Sequence, residues 1–344
     1  MKTHLTLLPS LLIALFIAPL TSEASAPLPK KPPIPKDNPM TPLKVELGKQ
    51  LYFDPRLSKT GTVSCNSCHN VMSAGVDNTA VSTGILGLKG GRNSPTVWNA
   101  AFLSTQFWDG RAKSLEEQAI GPLVNPVEMG MPNHDAVVAR IKEIPGYVAQ
   151  FKKVFKGEDS VTIDNFAKAV AAYERTLITP NASFDKFIKG RKRALSDAAQ
   201  AGWKTFQEVG CTSCHQGAAF AGPDLPEGQG FFMKFPTFAD NSYVKTYKLM
   251  DDTGRHDATK NEADKHMWRV PTLRNIALTA PYFHNGSVKT LDEAVRVMAK
   301  TQLNRDLNED EVTNVVAFLN SLTGQFPKQT MPRLPDYPNG SIVD

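Results

Sequence analysis

The 344-residue chain carries 39 Lys and Arg against 34 Asp and Glu, a formal net charge of +5, and is 41% hydrophobic. That length accommodates two ordinary domains of roughly 150 residues each, with no need of disulfides to make up for a thin core. The modest charge is spread along the chain and gives no sign of nucleic-acid binding, and no segment after residue 26 is apolar enough to cross a bilayer.

Residues 1–26 combine Lys2, an apolar run from Leu5 to Leu20 broken by Pro9, and small residues at Ser22, Ala24 and Ala26, as an export signal does. The run is short for a membrane anchor, which needs about 20 apolar residues. A helical stretch with aromatics around Leu47 to Phe53 then precedes Cys65-Asn66-Ser67-Cys68-His69. Cys-x-x-Cys-His attaches a c-type haem: both thiols form thioethers to the porphyrin and the histidine is tethered under the iron. Downstream, the loop STGILGLKGG contains no histidine, Ser94 to Gln118 forms a segment that recurs in the second half, and NPVEMGMPNH carries Glu128. Thr162 then opens an amphipathic helix with Phe166, Val170, Tyr173 and Leu177 on one face.

The second half repeats this order. The basic run FIKGRKR reads as a solvated face, a helical stretch spans Ala198 to Phe206, and Cys211-Thr212-Ser213-Cys214-His215 follows. The two motifs hold all four cysteines. Two disulfides or a four-cysteine zinc site would also use four thiols, but neither explains a histidine directly after each pair. Two covalently bound haem c groups do. Val270 to Ala294 aligns without a gap on Ser94 to Gln118, pairing Pro95 with Pro271, Asn99 with Asn275, Phe107 with Phe283 and Gly110 with Gly286 at a constant offset of 176 residues. The motifs are 146 apart, so about 30 extra residues, GQGFFMKFP among them, lie in the second half. Asn308 with Glu311 predicts a capping box for a last helix bearing Val312, Val315, Val316, Leu319 and Leu322, with Gly324 as its stop.

The fold class expected is therefore mainly α: two cytochrome c-like haem domains related by an internal repeat. The boundaries are 1–26 signal peptide, 27–183 first haem domain, 184–325 second haem domain and 326–344 a Pro-rich tail that packs back on the first domain. The second iron face differs between the halves. Met298 can close the second haem opposite His215, and methionine raises the potential of a haem it ligates. Its counterpart at the same offset is Pro122, which cannot ligate iron. Met72, three residues after His69, is on the wrong side of the porphyrin to reach round; Met129, Met131 and His134 are formal substitutes, but an open first haem beside His69 is the expectation. His134, His256 and His266 are expected at the surface or in loops.

Together, CNSCH, FWDGRAKSLEEQAIGP, NPVEMG, CTSCH, RVPTLRNIALTAPYFHNGS and AVRVMAK resemble the bacterial di-haem cytochrome c peroxidases. The resemblance implies a periplasmic enzyme that reduces hydrogen peroxide to water, with a peroxidatic N-terminal haem and an electron-transferring C-terminal one. Its electron donor would be a small c-type cytochrome or cupredoxin, and a homodimer is common in the family. By resemblance Glu128 is the distal acid, Gln118 its polar partner and Trp108 the tryptophan between the haems. His284 lies near the second haem, Met298 is its axial ligand, and Asn93, Thr279 and Pro281 hold a calcium ion. One departure stands out: the family histidine that blocks the oxidised peroxidatic iron falls at Ile85, which implies activity without reductive activation. Two other functions compete. A pure electron-transfer cytochrome would need both irons closed, and the related oxidases that modify a partner protein place a tyrosine where this chain has Met298.

Overall fold

The computed structural model describes residues 25–338. The expected signal segment therefore lies outside the described residues, except for its last two positions. Among the described residues there are twelve α-helices: α1 Pro42–Phe53, α2 Cys65–Cys68, α3 Leu115–Val124, α4 His134–Lys142, α5 Pro145–Phe155, α6 Ile163–Glu174, α7 Ser183–Ile188, α8 Asp197–Glu208, α9 Ser242–Thr246, α10 His256–Thr259, α11 Leu291–Leu303 and α12 Glu309–Asn320. One two-stranded antiparallel sheet joins β1 Phe232–Lys234 to β2 Met267–Arg269, with Met233 opposite Trp268. No helix among the described residues is long and apolar enough to cross a membrane.

Local chemistry sets the helix starts. Thr41, Thr162 and Ser196 each cap a helix by accepting from a backbone N–H three residues on. At α12 the expected capping box is present, with Asn308 and Glu311 bonding reciprocally. Two long-helix crossings carry the fold, α1 on α6 and α8 on α12. Each closes on a glycine: a Cβ on Gly48 would sit 1.8 Å from the Ala169 carbonyl oxygen, and one on Gly202 would sit 1.8 Å from that of Asn314. Around the first crossing pack Leu47, Leu51, Tyr52, Phe166, Val170 and Tyr173; around the second pack Phe184, Phe206, Phe220, Val315, Phe318 and Leu322.

Two helix ends differ from expectation. α6 stops at Glu174 and α12 at Asn320, so Leu177 and Leu322 are fully buried in the turns beyond rather than on the helices. Gly324 does not terminate α12, whose C-cap is Ser321; it packs against the Thr179 carbonyl, where a Cβ would lie 1.8 Å from the oxygen. The same geometry recurs in both halves of the aligned segment. Asn99 and Asn275 are left-handed and open 3₁₀ turns, and Phe107 and Phe283 have φ of 68° and 69°. The N–H of Asn93 donates to His284 O at 2.7 Å, and that of Arg269 to Trp108 O at 2.9 Å. The segment after α12 lies over the first core: Phe326 meets Trp98 edge-on at 4.9 Å, Tyr173 O–H donates to Gln329, and Arg56 donates to Pro335 O. His266 is not at the surface. The turn into β2 buries it to 8% exposure, with Nδ1 3.0 Å from Asp252 O.

Candidate haem cavities

Two cavities open beside the two Cys-x-x-Cys-His motifs. The first is about 1870 Å³ and the second about 1340 Å³, mouths included.

Cys65, Cys68 and His69 line the first cavity. His69 Nδ1 faces Pro95 O at 2.9 Å, and Tyr52 O–H donates to the His69 carbonyl at 2.8 Å. A ring nitrogen against a carbonyl must be the N–H, which leaves Nε2 as a lone pair. Burial keeps the imidazole neutral by lowering its pKa. His215 repeats the arrangement in the second cavity, with Nδ1 3.1 Å from Phe220 O and its pKa likewise lowered by burial. No disulfide consumes the four thiols, and burial pushes Cys65 and Cys211 up to about 12. Two thiols beside a neutral Nε2 donor at a cavity wall fit a covalently attached haem, and among the described residues no group of three or more His, Cys, Asp or Glu side chains could hold a metal ion.

The other walls separate the two sites. Met298, on α11, lines the second cavity together with His215. Pro122, inside α3, lines the first. Met72 is 48% exposed; of the formal substitutes, Met131 is buried in the core away from the cavity, and His134 Nε2 is 3.1 Å from Ile120 O. Only Met129 reaches the first lining. Glu128 and Gln118 both face that cavity. Asn125 Nδ2 donates to Glu128 Oε1 at 2.8 Å, and burial raises the carboxyl pKa against the opposing pull of Arg111 and Asn125. The histidine-free loop is docked on the same backbone: Ile85 N–H donates to Glu128 O at 2.9 Å, and its side chain is buried at 3% exposure. In the second cavity Phe206, Trp268, Phe283, Val315 and Leu319 form apolar walls. Arg269 is the one Arg, Lys, Asp or Glu there. Burial pushes it down to about 10, its Nε donates to Phe107 O, and no carboxylate pairs with it among the described residues.

Trp108 borders both cavities and donates from Nε1 to Asn93 O at 2.8 Å. Its ring meets Trp268 edge-on, centroids 6.5 Å apart, and Trp268 stacks on His284 at 4.2 Å. His284 is 2% exposed and neutral, pushed down to about 4 by burial. Arg92 lies over Trp268 at 4.9 Å and bonds Asp109 and Asp252. Sequence reasoning missed Trp268 and Arg92. Extending the 176-residue alignment two residues past its start would have paired them.

For calcium, the fit rests on free oxygens. Asn93 Nδ2 donates to the carbonyls of Thr79 and Ala80, and Asn78 Nδ2 donates to those of Leu278 and Ala280. These bonds bring the loop holding Thr279 and Pro281 against the loop holding Asn93. Asn93 Oδ1, Thr279 O and Pro281 O accept no hydrogen bond among the described residues. Three neutral oxygens suit a hard cation that takes oxygen ligands.

A family model described as di-haem cytochrome c peroxidase matches residues 42–193. The cytochrome c551 peroxidase of Nitrosomonas europaea is 47% identical over 291 residues, 84% of this chain and 83% of that protein. The cytochrome c551 peroxidase of Pseudomonas aeruginosa is 44% identical over 92% of this chain and 90% of its own. Among solved structures, a MauG-like protein associated with microbial copper homeostasis superposes with a TM-score of 0.75 at 29% identity, covering 86% of this chain and 95% of that one.

Proposed function

The chain belongs to the di-haem cytochrome c peroxidase family, and we propose that it is a periplasmic peroxidase reducing hydrogen peroxide to water with electrons from a small c-type cytochrome or a cupredoxin. The family implies two haem c groups. In this reading Cys65, Cys68 and His69 hold the peroxidatic haem, and Cys211, Cys214, His215 and Met298 hold the electron-transferring one, giving two cytochrome c-type domains built on one repeated plan. The observation that carries it is the asymmetry of the cavities: Pro122 and five carboxylate residues, Glu128 and Glu174 among them, on one side, Met298 and apolar walls on the other.

Bound haem supplies the iron that takes peroxide and the store of electrons. The chain supplies the proton chemistry. Glu128, held by Asn125 and raised in pKa by burial, takes a proton from one peroxide oxygen and returns it to the other. Gln118 orients peroxide by hydrogen bonding without competing for that proton. Trp108 lies between the cavities and gives an aromatic route for electrons, and His284 supports it through the Trp268 stack. Asn93, Thr279 and Pro281 hold calcium where the two halves meet. The loop around Ile85 carries no histidine to block the first iron, so turnover needs no reductive activation. Met298, where the partner-modifying oxidases have tyrosine, argues for the peroxidase over that alternative.

The deciding experiment is steady-state peroxide consumption by the holoprotein with a reduced c-type cytochrome as donor, starting from fully oxidised and from half-reduced enzyme. Equal rates are expected, together with a high-spin component in the resting ferric spectrum. Turnover confined to half-reduced enzyme would remove the activation claim alone. No turnover in either state would remove the peroxidase assignment.

A further inference from the structure

Glu174 is the last residue of α6, lines the first cavity and has no role in the chemistry above. It is 5% exposed, and its Oε2 is buried without a hydrogen-bond partner among the described residues. The cation beside it is already committed: Arg175 clasps Glu116 of α3 through two donors at 2.6 and 3.0 Å. The other titratable groups around it are Tyr52 of α1, which donates instead to His69 O, Cys65 of α2, and Tyr173 on its own helix. α4 turns the apolar Val137 and Ile141 inward. Burial accordingly pushes the Glu174 carboxyl up to about 8, with Arg175 opposing and Glu116 reinforcing.

The second half shows what this position needs for packing alone. Two separate contacts fix the register between α6 and α12. Gly48 meets Ala169 O as Gly202 meets Asn314 O, and Asn99 N–H donates to Leu177 O as Asn275 N–H does to Leu322 O. Both give an offset of 145 residues, which places Glu174 on Leu319. Leu319 is 4% exposed and lines the second cavity. An apolar side chain therefore satisfies the fold there, and a lone buried carboxyl is a costly substitute unless its proton is used.

We propose that Glu174 is the proton-binding partner of the first haem: it takes up one proton when an electron enters that centre and releases it when the electron leaves. The added negative charge favours the neutral acid, and its removal favours the carboxylate, so one proton moves with each electron. Glu174 is a positioning residue rather than a catalytic one, because it sets the charge of the site without touching peroxide. The second haem, facing Leu319, exchanges electrons without this proton. The inference rests on the first cavity holding haem, and not on what that haem reduces.

The test is a potentiometric titration of both haems in the holoprotein, at pH values from about 6 to about 9, either side of where a raised carboxyl titrates. In the wild type the first potential should fall with pH, approaching about 59 mV per unit, the one-electron equivalent of a tenfold change in proton concentration. The second should stay level. Glu174→Gln and Glu174→Leu should both flatten the first curve. A flat wild-type curve, or a slope that survives both substitutions, overturns the proposal. If neither variant folds, the reduced-minus-oxidised infrared spectrum of Glu128→Gln protein decides: it should gain a neutral-carboxyl band that shifts in D2O, and its absence overturns the proposal. A protein with the Glu174-dependent slope and no peroxide turnover would sink the peroxidase assignment and leave this inference standing; full turnover with a Glu174-independent slope would do the reverse.

Discussion

The first cavity presents Glu128, Glu174, Gln118 and Arg111 to its interior, whereas the second presents Phe206, Val315, Leu319 and Trp268, with Arg269 its one residue of the charged types. Both stand on a glycine-closed helix crossing and a histidine whose Nδ1 is held by a carbonyl. The difference lies in a few positions on that common support. Pro122 stands where the second half has Met298 and Glu174 where it has Leu319, so in the proposed reading one scaffold serves a reactive centre and an electron store. Because the crossing fixes the geometry, such exchanges change the chemistry without moving the walls.

The strongest way to break this contrast is Glu128→Gln. It should lower kcat/KM for peroxide by about 10²–10⁴, the usual contribution of a positioned acid-base group, while stopped-flow reduction of the second haem by donor cytochrome stays unchanged. The sign of the pH dependence follows from the role. Glu128 must be ionised to accept the peroxide proton, so kcat/KM should rise with pH through a pKa lying above the ordinary carboxylate range. Glu128→Gln should lose that limb, and a wild-type profile flat across it would remove the base. The reciprocal change is Met298→His. It should lower the second potential by a fraction of the roughly 0.8 V that axial ligands command and leave the first potential in place, as read by spectroelectrochemistry.

A pair of substitutions tests the common support. Gly48→Ala and Gly202→Ala each drive a methyl into a carbonyl oxygen 1.8 Å away. Each should cost about 1–3 kcal/mol of stability or more, the range for overpacking a close contact, seen in denaturant unfolding of the holoprotein. If the scaffolds are equivalent, the two losses should be similar, and each should disturb the absorption of its own haem first.

Much of this was legible in the sequence because it is local. Cys-x-x-Cys-His needs only five consecutive residues, the Asn308–Glu311 box only four, and the 176-residue alignment pointed to Pro122 against Met298. Glu174 was legible in part: it lies four residues after Val170, on the buried face of the predicted helix, but apolar periodicity does not single out a buried carboxyl. The Trp268–His284 stack was harder, since it joins β2 to a turn 16 residues later through tertiary packing. His266 lies in the turn into β2, in keeping with a loop position, but its burial comes from tertiary packing that local sequence does not reveal. Gly324 looked like a helix stop because a glycine after a helix commonly is one, but its requirement comes from Thr179, far away in sequence.

Thr179 supplies the smallest test, and it asks whether the two halves behave as one body. Its hydroxyl accepts from Asn99 Nδ2 at 2.8 Å and from Asn275 Nδ2 at 2.9 Å, so a single oxygen serves the matching asparagine of each half. The surrounding bonds are also paired: Asn99 Oδ1 accepts from Thr179 N–H, and Asn275 Oδ1 from Gly324 N–H. Thr179→Val keeps the shape and removes the shared acceptor, leaving two buried amide donors unsatisfied. The expected cost is about 1–3 kcal/mol, the penalty for buried polar groups without partners. Because both asparagines sit in left-handed turns that lead into the cavity walls, the loss should reach both haems together. Unfolding followed separately at the two haem absorptions should therefore shift by the same amount, and a shift at one alone would mean that each half stands independently.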